Sequence, residues 1–278
     1  MLQELRKIFE SNIKSFEILY ILEGVKAVAR IMVNEEDKER VFGFFDNQGL
    51  SYTLSDFKVV KEDKDKGYSD KGIKVPIESE EKGHFFVYVS KDRKKAERAR
   101  KLEKENKHKE LGLILGYPEC CSEFFEKHYE EQSKKHNDYT LAALKDSDGF
   151  QFPFYTNIAS RHFDLSLLNH FPCRFDCEKS IELGERYLEI IKKEDKEASE
   201  IVEGMLKGAI IYTETSGVFL LRYPKLEHNR LNYTGIIGTV NNQLSESLKN
   251  AEHIDILAKD RIMLDNLEMK HIGLMLFL

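Results

Sequence analysis

The chain has 278 residues, of which 41% are hydrophobic and 33% charged, and its formal net charge is −6. That length and apolar content allow a core without covalent staples and exclude a disordered polymer. The acidic balance argues against a protein built mainly to hold nucleic acid, and no run approaches the roughly 18 to 20 apolar residues needed to cross a bilayer.

Leu2, Leu5, Ile8 and Phe9 recur at helical spacing and predict a short amphipathic helix, without the apolar core of a secretion signal. The expected location is therefore cytoplasmic. Residues 25–33 read as a strand. Asn34 can cap a following helix whose apolar positions are Val41, Phe44 and Phe45 and which Gly49 ends. Two more strands are predicted over 52–60 and 84–89, with the charged stretch 61–72 between them as an exposed loop. Asp92 opens a charged helix to about His108. Its basic run from Arg93 to Lys109 would suit RNA or a protein partner, although a solvated helix face explains it as well.

Residues 92–208 form a mostly helical middle, interrupted near 146–154 where Asp, Gly and Pro cluster. Helical spacing returns at Ile181, Leu188 and Ile191, then at Ile201, Met205 and Leu206, before Gly208. Strands follow at 209–215 and 218–223, joined at Ser216-Gly217, and again at 235–240. A helix over 242–251, strands at 254–257 and 262–264, and a turn at Asp265-Asn266 complete the chain. The predicted class is α+β. An N-terminal α+β segment (1–91) and a C-terminal one (209–278), able to pack together and built of mixed or antiparallel strands, flank the helical middle (92–208).

The four cysteines fall in two clusters, each led by proline. In the first, Pro118 suits the first position of a helix, so Cys120 and Cys121 fall in its first turn, where free N–H groups and the helix dipole favour a thiolate. Neighbours on a helix diverge by about 100°, so one of the two is expected to be a ligand and the other a small core residue. In the second, Pro172 would again start a helix, setting Cys173 and Cys177 one turn apart on one face with His170 just ahead of them.

If the clusters meet, three thiolates suit an iron-sulfur cluster with one open iron, and His170 as a fourth ligand suits closed zinc. His170 could instead support the ligands from outside the coordination sphere. Disulfides and inert buried thiols are the competing readings. Disulfides gain weight because charge carried mainly by Lys and Glu, with no Trp, leans toward a thermophile. Asn157 and Arg161 are expected at i and i+4 on a helix running toward Leu168, where they could orient a small anionic substrate. A structural ion pair is the plainer role for Arg161. His128 and His162 lack any fixed spacing that would make them ligands.

Gly116-Tyr117-Pro118 with Cys120-Cys121, together with His170, Pro172, Cys173 and Cys177, resembles the archaeal domain family of unknown function numbered 483. The resemblance covers the helical middle and, less clearly, its flanks. It implies an archaeal source and carries no activity to transfer. A heterodisulfide-reductase module pairs a Cys-Cys string with CxxC and a glycine, whereas this chain has Ser122 and CxxxC. The third close cysteine of a radical-SAM enzyme is missing, as are a P-loop, a G-x-G-x-x-G and an H-E-x-x-H. The leading expectation is a metal-binding protein whose site could serve an enzyme acting on a small anionic substrate. The alternative is a non-catalytic module, braced by disulfides or packed thiols, that uses the basic helix.

Overall fold

The computed structural model describes residues 1–61, 71–265 and 267–278. Most of the expected charged loop, and Asn266 of the expected turn, lie outside the described residues. Leu2, Leu5 and Phe9 bury one face of α1 (Leu2–Phe9), as their spacing predicts. The next helix, α2 (Asn12–Leu22), was not expected. Every residue from Ser15 to Ile21 is buried, so it has no polar face for periodicity to reveal. Ser11 caps it by accepting from the Lys14 N–H at 3.3 Å.

The N-terminal sheet contains β1 (Ala29–Asn34), β2 (Ser51–Lys61), the unanticipated β3 (Gly72–Pro76) and β4 (His84–Ser90). It is antiparallel, in the order β1-β4-β2-β3. The expected helix between its first two strands is α3 (Lys38–Asn47), entered through a single 3-10 turn.

Asp92 caps α4 (Arg93–Lys104), its carboxylate accepting from the Lys94 N–H at 2.9 Å. The expected helix to His108 is broken at Asn106, whose φ is 53°, and α5 (His108–Ile114) starts afresh. After α6 (Glu119–Gln132) and α7 (Thr140–Asp146), the interruption is much longer than expected. It holds the two-residue β5 (Gln151–Phe152) and 3-10 turns at Phe154–Thr156 and Ala159–Phe163, and helix resumes only at α8 (Glu178–Glu194) and α9 (Lys196–Leu206). On α9 the core face is Ala198, Val202 and Leu206. Ile201 and Met205, expected to be core, are 54% and 50% exposed.

The remaining elements are β6 (Gly208–Tyr212), β7 (Val218–Arg222), β8 (Lys225–Glu227), β9 (Arg230–Asn232), β10 (Gly235–Gly238), α10 (Gln243–Asn250), β11 (His253–Ala258), β12 (Arg261–Leu264), β13 (Leu267–Lys270) and β14 (Gly273–Phe277). They form two five-stranded sheets, ordered β10-β7-β6-β14-β5 and β13-β12-β11-β9-β8. The β5–β14 pair is parallel. The β6–β7 hairpin turns through Thr213 to Gly217, whose backbones bond at 3.0 Å, a longer turn than Ser216-Gly217 alone.

The fold class is α+β. Its largest buried cluster runs from Leu2 to Phe277 and draws on all three stretches of the sequence. A smaller one, including Val28, Tyr88, Ala99, Leu102 and Leu111, seats α4 and α5 on the N-terminal sheet. The last strand also fastens the long irregular stretch. Leu278 donates to the Phe152 carbonyl at 2.9 Å and accepts from the Phe154 N–H at 3.1 Å. Among the described residues no helix is long and apolar enough to cross a membrane.

Candidate metal centre

The first cluster is aimed by a corner. Helix α5 ends with Gly116 at φ 82°, the Gly116 N–H bonding the Leu113 carbonyl at 3.1 Å and the Tyr117 N–H bonding that of Gly112 at 3.0 Å. These are the two bonds of a Schellman stop, for which glycine in the left-handed region is the natural residue. Pro118 then caps α6 from one position before the helix, with φ −56° and ψ 141°. Cys120 and Cys121 occupy the first turn, as expected.

The second cluster departs from expectation. No helix starts at Pro172: residues 171–177 form turns, and Cys177 is the N-cap of α8. Cys173 and Cys177 therefore do not share a helical face. Other bonds shape this loop. The Phe175 carbonyl accepts from the Thr156 hydroxyl at 2.6 Å, and the Phe175 N–H reaches Ser147 Oγ at 2.7 Å. Arg174 pairs with Asp176 and with Asp148. Phe175, fully buried, packs its ring against Phe152 and Phe277 at centroid distances of 5.2 and 5.6 Å.

The loop nevertheless brings all four sulfurs together. Cys120 Sγ lies 3.9 Å from Cys121 Sγ and 3.8 Å from Cys177 Sγ, and Cys121 and Cys177 are 3.8 Å apart. With Cys173 included, all four atoms fall within 4.8 Å of one another. The expectation that Cys120 and Cys121 would diverge is thus corrected. Each Cα–Cβ bond tilts toward the helix N-terminus, so two neighbours in a first turn can both lean to that end. The cysteines are free thiols, with sulfur separations well beyond the roughly 2.0 Å of a disulfide bond.

Hydrogen bonds among the sulfurs concentrate negative charge on Cys177. Cys177 is held well below the ordinary thiol range because Cys121 and Cys173 donate to it, which outweighs burial. Cys121 is pushed up by its bonds to Cys173 and Cys177 and by burial. For Cys173, the bond to Cys121 lowers the value, but Cys177 and burial win and raise it to about 12. The first turns of α6 and α8 both meet at the sulfurs, so two helix dipoles favour thiolate. Four sulfur donors this close can bind one metal ion.

His170 is buried beside the cluster. Its Nε2 is 3.0 Å from Ser180 Oγ, which is 3.2 Å from Cys121 Sγ, and its ring packs at a 31° tilt against Tyr117 with centroids 4.9 Å apart. Burial, reinforced by Lys26, lowers its pKa to about 3, so the imidazole is neutral at ordinary pH. Ser180 was not anticipated. It lies three residues beyond Cys177, and a serine early in a helix gives no signal of such a role.

Asn157 and Arg161 do not share an α-helical face, because their stretch is a pair of 3-10 turns. Asn157 is buried, donating to the Leu206 carbonyl at 2.7 Å and accepting from the Ser160 N–H at 3.1 Å. Arg161 forms an ion pair with buried Asp138, which His162 also meets at 3.4 Å. His128 packs on the Phe124 ring. Along α4, Arg93 pairs with Glu97, Lys101 with Glu105, and both Arg100 and Lys104 with Asp56, so acids neutralise much of the basic run.

Comparison with protein-family models, with curated proteins and with solved structures finds no match.

Proposed function

We propose that Cys120, Cys121, Cys173 and Cys177 hold one zinc ion in a closed tetrahedral site, a structural centre that staples the start of α6 to the start of α8. The observation that carries the reading is the spacing of the sulfurs. With zinc–sulfur bonds of about 2.3 Å, a tetrahedron has sulfur–sulfur edges of roughly 3.8 Å. The three edges among Cys120, Cys121 and Cys177 are 3.8 to 3.9 Å. An iron-sulfur cluster spreads its thiolates over several irons and would hold them further apart than a group confined to 4.8 Å.

A full set of protein ligands leaves no position for a substrate, which is the pattern of structural zinc. The residues expected to hold an anionic substrate are engaged otherwise, Asn157 with Leu206 and Arg161 with Asp138. In this reading, the Gly-Tyr-Pro and Cys-Cys strings that resemble the archaeal family form the corner that presents two of the ligands.

The test is anaerobic purification followed by metal and sulfide analysis, with cobalt substitution. The expected result is one zinc per chain, replaceable by cobalt with the intense visible bands of a tetrahedral thiolate site, and lost in the Cys173→Ser/Cys177→Ser double variant. Several irons with inorganic sulfide, or a metal-free protein with paired cysteines, would overturn it.

A further inference from the structure

We propose that His170 is not a metal ligand but a positioning residue, which acts through Ser180 to fix Cys121 on the metal; this rests on the four-cysteine centre proposed above. The direction of the two bonds follows from chemistry. A thiolate bound to metal has no proton to give, so across the 3.2 Å contact between Ser180 and Cys121 the serine hydroxyl must be the donor. With its proton spent on sulfur, Ser180 Oγ can only accept across the 3.0 Å contact with His170 Nε2. His170 therefore carries its proton on Nε2.

Three further observations agree. His170 Nδ1 is buried without a hydrogen-bond partner, so the bond to Ser180 alone fixes the ring's tautomer and orientation. The ring is neutral, so it donates one proton and adds no charge. Nε2 is already committed to Ser180, and four sulfurs complete a tetrahedron, which leaves His170 neither a free donor atom nor a coordination position.

Cys121 also accepts the Cys173 backbone N–H at 3.3 Å, so it receives two protein donors beyond the metal. Hydrogen bonds of this kind set ligand orientation, and their loss typically costs about 10- to 100-fold in metal affinity. His170→Ala and Ser180→Ala should each speed zinc release to a chelator by a factor in that range. The double variant should be no faster than the worse single one, because both act through the same bond. His170→Gln, which keeps an N–H donor, should recover part of the loss. In cobalt-loaded His170→Ala the sulfur-to-metal charge-transfer band should move to lower energy, since a thiolate relieved of a hydrogen bond is a stronger electron donor.

A wild-type measurement tests the idea without relying on any variant that might misfold. Nitrogen-15 shifts of His170 in the zinc-loaded protein should report a protonated Nε2 and an unprotonated Nδ1. Zinc bound by the wild type with His170 protonated on Nδ1, or release rates unchanged in both variants, would overturn the relay and leave the centre standing. A wild-type protein that binds no metal would remove the centre itself.

Discussion

Cys173 donates its backbone N–H to the sulfur of Cys121 at 3.3 Å, across 52 positions of sequence. The bond joins the irregular loop after Pro172 to the first turn of α6. Cys173 contributes only its main chain to it, so it survives a change of the Cys173 side chain. This separates the contribution of the metal from that of the loop.

Replacing Cys173 by Ser should therefore keep the loop near α6 while removing one ligand. A ligand present at a thousandfold its Kd stabilises the folded state by about 4 kcal/mol. For a chain of this size that corresponds to a Tm change on the order of 10 °C. Cys173→Ser should show a loss of that order in calorimetry, and a chelator should reproduce it in the wild type while adding little to the variant. A chelator that leaves the wild-type Tm unmoved would count against any structural metal.

Gly112 sets the spacing between α5 and α6. A Cβ there would lie 2.4 Å from Ser122 Oγ and 3.0 Å from Ser122 Cβ, and Ser122 directly follows the two cysteines. Overpacking of this kind costs about 1–3 kcal/mol. Gly112→Ala should lower stability by about that amount and also weaken zinc retention, because the strain is relieved by moving the turn that carries Cys120 and Cys121. Titration against a competing chelator reads the second effect. Unchanged affinity would mean that the corner and the sulfurs are not rigidly coupled.

The meeting of the two clusters was legible in part, because Pro118 leads Cys120 and Cys121 into a helix start; Pro172 starts no helix, and only Cys177 caps one. The geometry of the meeting was not. Spacing at i and i+4 suggests a helix for Cys173 and Cys177, yet bonds from Thr156 and Ser147 to the Phe175 backbone hold that stretch in turns. Those partners are distant in sequence, and no local pattern reports them. Helix α2 was missed for the opposite reason: it is buried all round, whereas periodicity detects only helices with one wet face. The short strands β8, β9 and β13 carry too few residues to show alternation.

Asp138 is a buried carboxylate, and Arg161 and His162 hold its pKa well below the usual range in spite of the opposing effect of burial. A lowered folded-state value means that the stabilisation is present above the unfolded carboxyl pKa, about 3.9. It is lost as pH falls from there toward the lower native value. Asp138→Asn removes the buried carboxylate from its ion pair with Arg161 and should cost about 3–5 kcal/mol at pH 7. In urea unfolding from pH 7 to pH 2, the gap between wild type and variant should stay constant to about pH 4 and then narrow. A gap that stayed constant down to pH 2 would mean that protonating Asp138 costs the fold nothing.

Glu17 and Lys26 form an ion pair at 2.7 Å with side chains only 2% and 1% exposed, Glu17 on α2 and Lys26 just ahead of β1. The Lys26 ammonium lies 5.0 Å from the centre of the Tyr117 ring, and His170 packs on the same ring, so the pair sits behind the proposed metal centre. Desolvating two charges costs about what their attraction returns, whereas removing one partner strands the other. Lys26→Met alone should therefore destabilise by about 3–5 kcal/mol, and Glu17→Met with Lys26→Met should recover most of that loss. A double-mutant cycle in urea measures the coupling. Zinc release should follow the same order, faster in the single variant than in the double, because a stranded Glu17 disturbs the Tyr117 ring on which His170 rests. If the two variants were equally destabilised, the pair's contribution would be packing, and its charges would have no bearing on the centre.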